Sequence, residues 1–295
     1  MTLLKHMTPA RTVSWIILIV MLVVTVFPLL VVLKTSLVNS SELFDTATDL
    51  LPTSPTVVNY EKVLGLLTTE EAIVNGGSGA NINILRALLN SAIFTGVIVV
   101  VQTFNCTLAA YAFARMRFPG SKILFGAFVA SMMVPAVVIM IPNFVFVRDL
   151  GLLDTRAGTV APYVLMHGFS VFFLRQFFLS LPKEVEEAAR IDGANPFVIF
   201  LKIALPLSWA PIMTIATLTM INMWNEFLWP FLVAKDPAMQ TLPVALQSFR
   251  SQTPQGQPDW SGLMAATVIA TLPTLAMLFV FGRRIVESVQ FTGGK

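Results

Sequence analysis

Apolar residues in this chain fall into long, nearly uncharged runs rather than alternating or amphipathic patterns. Six runs stand out: Val13–Leu33, Ala87–Ala112, Ile123–Val147, Thr159–Leu179, Leu207–Ala234 and Gly262–Phe281. Each reaches about the 20 residues a helix needs to cross a hydrocarbon core. The pattern predicts an all-α, polytopic membrane protein with six transmembrane helices. The first run is too long for a secretory signal and no small-residue cleavage site follows it, so it reads as a retained anchor. Polar connections divide the chain into residues 1–34 (tail and first helix), an extracytoplasmic loop at 35–86, and a membrane core at 87–295 that contains a loop at 181–206. Gly76-Gly77-Ser78-Gly79 marks a flexible stretch in the first outer loop. Pro254, Gly256 and Pro258 break the second, at 235–260.

Composition strengthens this picture. Of 295 residues, 56% are apolar and 12% charged, against about 25% charged in soluble domains. Mean hydropathy is +0.78. With the N-terminus in the cytoplasm, 12 of the 19 Lys and Arg residues lie on the inner side, while 10 of the 16 acidic residues lie outside. That bias predicts a multi-pass membrane protein with both termini cytoplasmic. The net charge of +3 is scattered and suggests no nucleic-acid surface. Cys106 is the single cysteine and reads as a packing residue, and His6 and His167 are too few for a histidine-rich metal site.

Catalytic patterns are missing. No nucleophile elbow and no His-Glu-x-x-His occurs, and the terminal Gly293-Gly294-Lys295 lacks the hydroxyl residue and helix of a phosphate loop. The chain is not expected to be an enzyme or to hold a cofactor.

The most informative polar segment joins the fourth and fifth runs, from Leu181 to Pro206. It predicts two short helices meeting at a glycine. Ser180 is a candidate N-cap and Pro182 suits a first turn. Glu184, Glu186 and Glu187 crowd that turn, where the helix dipole favours anions. Gly193 is a helix stop, and Asn195-Pro196 restarts a helix as cap and first residue. Ala188 and Ala189 leave room for another surface to approach. On physical grounds alone, an amphipathic helix lying at the membrane interface fits equally well.

Glu187-Ala188-Ala189, three residues, Gly193, nine residues, then Ile203-Ala204-Leu205-Pro206 resembles the EAA loop of ABC-importer permeases. Pro52–Tyr60, Ala109–Gly120, Trp224–Pro230 and the terminal Thr292–Lys295 resemble the carbohydrate, maltose-type branch of that family. The resemblance implies a cytoplasmic loop whose residues Glu187, Ala188, Ala189, Asp192, Gly193, Ile203, Leu205 and Pro206 dock a separate ATPase. It also implies a second homologous permease, two ATP-binding subunits that use the ATP, and an extracytoplasmic solute-binding protein. The implied cargo is a sugar or sugar derivative, and the implied location is the plasma (inner) membrane. A non-sugar solute is the alternative, and an ion-coupled secondary transporter is a more distant one.

Glu226 is the one acidic residue well inside a run. Helical steps place Thr219, Asn222, Glu226 and Trp229 on one face as a candidate substrate path. The other reading pairs Glu226 with a neighbouring helix or sets it near the outer interface, anchored by Trp224 and Trp229. A fainter stripe on the fourth run joins Tyr163, His167 and Ser170. Gln102 and Asn105 are expected to bind helices together. Pro135, Pro142 and Pro273 predict bends, as gating hinges or fixed kinks.

Overall fold

The computed structural model describes residues 9–44, 49, 51–76, 83–251 and 258–293. The Gly-rich stretch at 77–79, Pro254, Gly256, His6 and the terminal Gly294-Lys295 lie outside the described residues. Those described are helical and contain no strand.

In chain order the helices are α1 (Pro9–Ser36), α2 (Val58–Val63), α3 (Thr69–Val74), α4 (Ile84–Arg115), α5 (Ser121–Ser131), α6 (Ala136–Asp149), α7 (Arg156–Val160), α8 (Gly168–Ser180) and α9 (Lys183–Ile191). Then α10 (Pro196–Ile199) runs through a π-helical turn, Phe200–Ala204, into α11 (Leu205–Leu207). The chain continues as α12 (Trp209–Trp224), α13 (Leu228–Val233), α14 (Leu242–Ser251) and α15 (Trp260–Gly293). It divides into two compact units, Met1–Ile84 with Leu246–Leu272, and Leu85–Ala245 with Pro273–Lys295.

In the first unit, α1 exposes apolar side chains all round, from Val13 to Leu33. A helix of that kind is stable only in an apolar solvent. Its end is tied to the segment that follows by the buried Asn59, whose amide donates to Ser36 O at 3.0 Å and Val38 O at 2.7 Å. Lys62 and Asp259 form a buried ion pair at 3.2 Å. Asp259 also accepts from Ser40 Oγ and caps the start of α15 through Gly262 N–H. A capping box between Thr68 and Glu71 starts α3, and these hydrogen bonds, first from the Thr68 backbone and then from its hydroxyl, hold the Glu71 carboxyl below the usual carboxylate range.

In the second unit, α4 is the central element. Cys106, Ala110 and Tyr111 pack with Val171, Leu174 and Phe178 of α8, with Phe200 and Ala204, and with Ile212 and Ile215 of α12. Tyr111 stacks edge-on against Phe178 at 5.5 Å and leans on Phe200 at 5.1 Å.

Several predicted spans are interrupted. Among the described residues, α1 and α4 are long and apolar enough to cross a bilayer unbroken. The third run splits into α5 and α6, bent by 104°. Pro135 is the cause: it cannot donate a backbone hydrogen bond and it pushes Val134 out of helical geometry. Pro142 and Pro273 stay inside α6 and α15. The fourth run has only thirteen residues of continuous helix, α8, roughly 20 Å at 1.5 Å per residue. The residues before it, 161–167, are unwound. The fifth run bends by 77° at Ser208 and breaks again at 225–227.

Close packing at the start of α8 requires a residue with no side chain. A Cβ on Gly168 would lie 2.7 Å from Phe128 O and 2.9 Å from Ser131 Oγ, at the end of α5. Gly126 has nothing within 4 Å of the same position. Gly168→Val is therefore expected to destabilise the protein by about 1–3 kcal/mol, the usual cost of overpacking. Gly126→Ala is expected to be near neutral. Unfolding midpoints in detergent check the pair, and equal midpoints would contradict the packing.

Candidate functional site

Two features concentrate polar chemistry in the second unit: the loop from Leu181 to Pro206, and the breaks in the membrane helices.

The loop is a helix–turn–helix elbow. α9 begins at Lys183, with Pro182 rather than Ser180 at its N-cap position. Ser180 instead ends α8, its hydroxyl bonded to Phe177 O. That corrects the expected cap. The glycine stop is as expected: Gly193 sits at φ +82, with its N–H on Arg190 O. Asn195 accepts from Val198 N–H at 2.9 Å and caps α10, with Pro196 following.

Glu187, Ala188, Asp192 and Gly193 are exposed on this elbow, and Ala189 is half-buried. Ile203 lies half-buried in the π-helical turn and Pro206 is exposed. Leu205 packs on the α4–α8–α12 core. One end of the elbow is thus bare, and the other is built into the membrane helices.

Glu186 anchors the elbow, a role its sequence context did not suggest. Glu186 is buried and meets Arg115, the last residue of α4, at 3.0 Å. The contact is an ion pair rather than an aligned hydrogen bond. Arg115 also donates to Leu181 O at 2.6 Å. An arginine closing an apolar span, opposite a carboxylate in the next charged helix, is the signal that could have revealed it. One amphipathic face of α9, with Lys183, Glu186, Glu187 and Arg190, lines a polar cleft against the end of α4.

The helix breaks are held by side chains of α4. Unwound backbone inside a membrane protein must find internal partners. Asn105 Nδ2 donates to Val164 O at 3.0 Å, and Gln102 Nε2 donates to Tyr163 O. His167 N–H donates to Cys106 Sγ at 3.2 Å. Gln102 and Asn105 therefore satisfy freed carbonyls rather than bridge two helices side by side. Cys106 both packs and accepts. His167 and Ser170 meet at 3.3 Å, whereas Tyr163 lies in the unwound segment and does not share their helix.

The proposed stripe on the fifth run is also broken. Thr219 is buried and Asn222 exposed on α12, but Glu226 lies past the end of that helix. Its carboxylate is half-buried and accepts from Trp229 N–H at 3.1 Å. Trp229 does not continue the face. It is 2% exposed, packs on Val147 and Val233, and donates from Nε1 to Thr159 O at 2.9 Å. Helical spacing could not carry the stripe across the break at 225–227. Asn222, Asn225 and Glu226 are the polar side chains left accessible there.

The buried Arg115–Glu186 pair gives a direct prediction. Glu186→Gln strands a buried cation and should cost about 3–5 kcal/mol, whereas the double change Arg115→Met with Glu186→Leu should cost much less. Denaturation of both variants tests this, and equal losses would show that the two side chains are not coupled.

The family described as binding-protein-dependent transport system inner membrane component matches residues 106–290. The sn-glycerol-3-phosphate transport system permease protein UgpE of Agrobacterium fabrum is 30% identical over 281 residues, 95% of this chain and 96% of that protein. Its counterpart from Rhizobium meliloti is 30% identical over 280 residues, again 95% and 96%. A crystal structure of a bacterial ABC transporter involved in the import of the acidic polysaccharide alginate contains a chain of the same fold. The TM-score is 0.78 at 22% identity, over 95% of this chain and 99% of that one. The chain belongs to the family of inner membrane components of binding-protein-dependent transport systems.

Proposed function

We propose that the chain is one of two permease subunits of an ATP-driven importer, that it carries a sugar or sugar derivative, and that the ATPase grips the bare end of the elbow that runs to Pro206. The observation that carries this reading is the elbow itself. Its bare end offers Glu187, Ala188, Ala189, Asp192 and Gly193 to a partner. Its other end, through Ile203, Leu205 and Pro206, runs into the core of membrane helices. A push on α9 is passed to α4 through Arg115–Glu186, and to α12 through the π-helical turn.

In this reading the chain has six spans with both termini in the cytoplasm. It works with a second homologous permease, two ATP-binding subunits and an extracytoplasmic solute-binding protein. It binds no cofactor, and the ATP is used by the ATPase subunits. Closure of those subunits turns the path outward to receive solute, and reopening turns it inward. Asn222 and Glu226, with Thr219 behind them, line part of that path and bond sugar hydroxyls. The carbohydrate assignment draws on the sequence stretches that resemble the maltose-type branch. It also draws on the named cargoes of the relatives, a polyol phosphate and a polysaccharide.

Two substitutions test the assignment. Gly193 has open space around it, so Gly193→Val strains only the turn, by about 1–2 kcal/mol at a positive φ. The variant should insert normally, lose ATPase co-purification, and import at least ~10-fold more slowly in reconstituted vesicles. Normal import would contradict docking at the elbow. Glu226→Ala should keep the ATPase bound yet lower import at least ~10-fold, the loss expected for one charged hydrogen bond. Unchanged import would make Glu226 structural.

A further inference from the structure

The polar cleft between α4 and α9 has a volume of about 760 Å³. It carries four cations, Arg115, Arg117, Lys183 and Arg190, against Glu186 and Glu187. Arg115 and Glu186 neutralise each other at 3.0 Å. Arg117, Lys183 and Arg190 are exposed and make no ion pair among the described residues. The cleft therefore holds excess positive charge. A second pocket of about 490 Å³ adjoins it and shares Tyr111, Met116 and Pro196 with it. Its remaining wall is mostly apolar, with Leu108, Phe197 and Phe200.

We propose that the two pockets form one site for an anionic phospholipid, its phosphate among Arg117, Lys183 and Arg190 and an acyl chain against Leu108, Phe197 and Phe200. Position argues for this ligand. α4 is a candidate membrane span whose uncharged stretch, 87–114, ends at Arg115, which puts the cleft at the polar edge of that span. Basic pockets at that depth attract anionic headgroups. A small soluble anion would leave the apolar pocket unfilled. An apolar helix of a partner would leave the three cations uncompensated.

The site is largely separate from the ATPase contact proposed above. Lys183, Glu186, Glu187 and Arg190 are spaced along one face of α9 and line the cleft. Ala188, Ala189, Asp192 and Gly193 do not line it, and only Glu187 belongs to both sets. Calling the leaflet cytoplasmic rests on the orientation proposed above, but lipid binding itself does not.

The test uses the full transporter in phosphatidylcholine vesicles doped with photoreactive phosphatidylglycerol or, separately, photoreactive phosphatidylcholine. Phosphatidylglycerol should label peptides that contain Leu108–Arg117 and Pro196–Phe200, and phosphatidylcholine should label them far less. Each cation removed near a membrane surface should weaken binding roughly fivefold. The triple variant R117Q/K183Q/R190Q should therefore lose at least ~10-fold of the label. Met116→Trp fills the apolar wall with all charges intact and should also reduce it. Unchanged unfolding midpoints in detergent show that the variants are folded. Equal labelling by the two lipids, or full labelling of the triple variant, overturns the proposal. So does labelling of the isolated chain but not of the assembled transporter, because another subunit then covers the site. Labelling that persists in Gly193→Val, where ATPase docking is lost, separates the lipid site from the docking reading.

Discussion

The buried ion pair between Arg115 and Glu186 joins the end of a membrane helix to the exposed helix that is proposed to meet the ATPase. Two charges with side chains 5% and 7% exposed are costly to bury unless they stay together. The hydrogen bond from Arg115 to Leu181 O fixes the start of the elbow against the same helix. As a result α9 cannot move far without α4. Because α4 also packs against α8, α12 and the π-helical turn, a displacement of α9 is spread through the second unit. In the proposed function the elbow acts as a lever, because its root is buried while its tip is exposed.

A second constraint comes from the membrane. Hydrocarbon offers no hydrogen bonds, so every unwound backbone group needs a protein partner. α4 supplies three in one short stretch: Gln102, Asn105 and Cys106 serve the segment at 161–167. Glu226 does the same for the break in the fifth run by accepting from Trp229 N–H. Asp154, at φ 55, accepts from the N–H groups of Lys235 and Asp236 and pins the loop before α7 to the end of α13. Breaks of this kind leave polar groups accessible, at Asn222, Asn225 and Glu226.

Capping chemistry was legible at the turn of the elbow, though not at Ser180, which ends α8 instead of capping α9. Gly193, Asn195 and Pro196 behave as local rules require, because those rules depend on a few neighbouring residues. Hydropathy located α1 and α4 well, since each is one uninterrupted apolar helix. It failed to show that the third, fourth and fifth runs are broken, because an apolar residue reads the same in a helix and in an unwound segment. Pro135 was a visible warning. The segment at 161–167 was not, since its stability comes from residues some sixty positions earlier in the chain. The same limit hid Trp229, which leaves the stripe of Thr219 and Asn222 once the helix ends, and it hid the pairing of Glu186 with Arg115. Long-range partners decide these positions, and periodicity carries no record of them.

Spin labels at the exposed Val185 on α9 and Val101 on α4 test the central mechanical claim, that the elbow and the membrane helix move as one body. The distance between them is measured in the reconstituted transporter, at rest and during ATP turnover. The account predicts one unchanged distance distribution in both conditions while import proceeds. A shift of several ångströms between the two labels during turnover would contradict it.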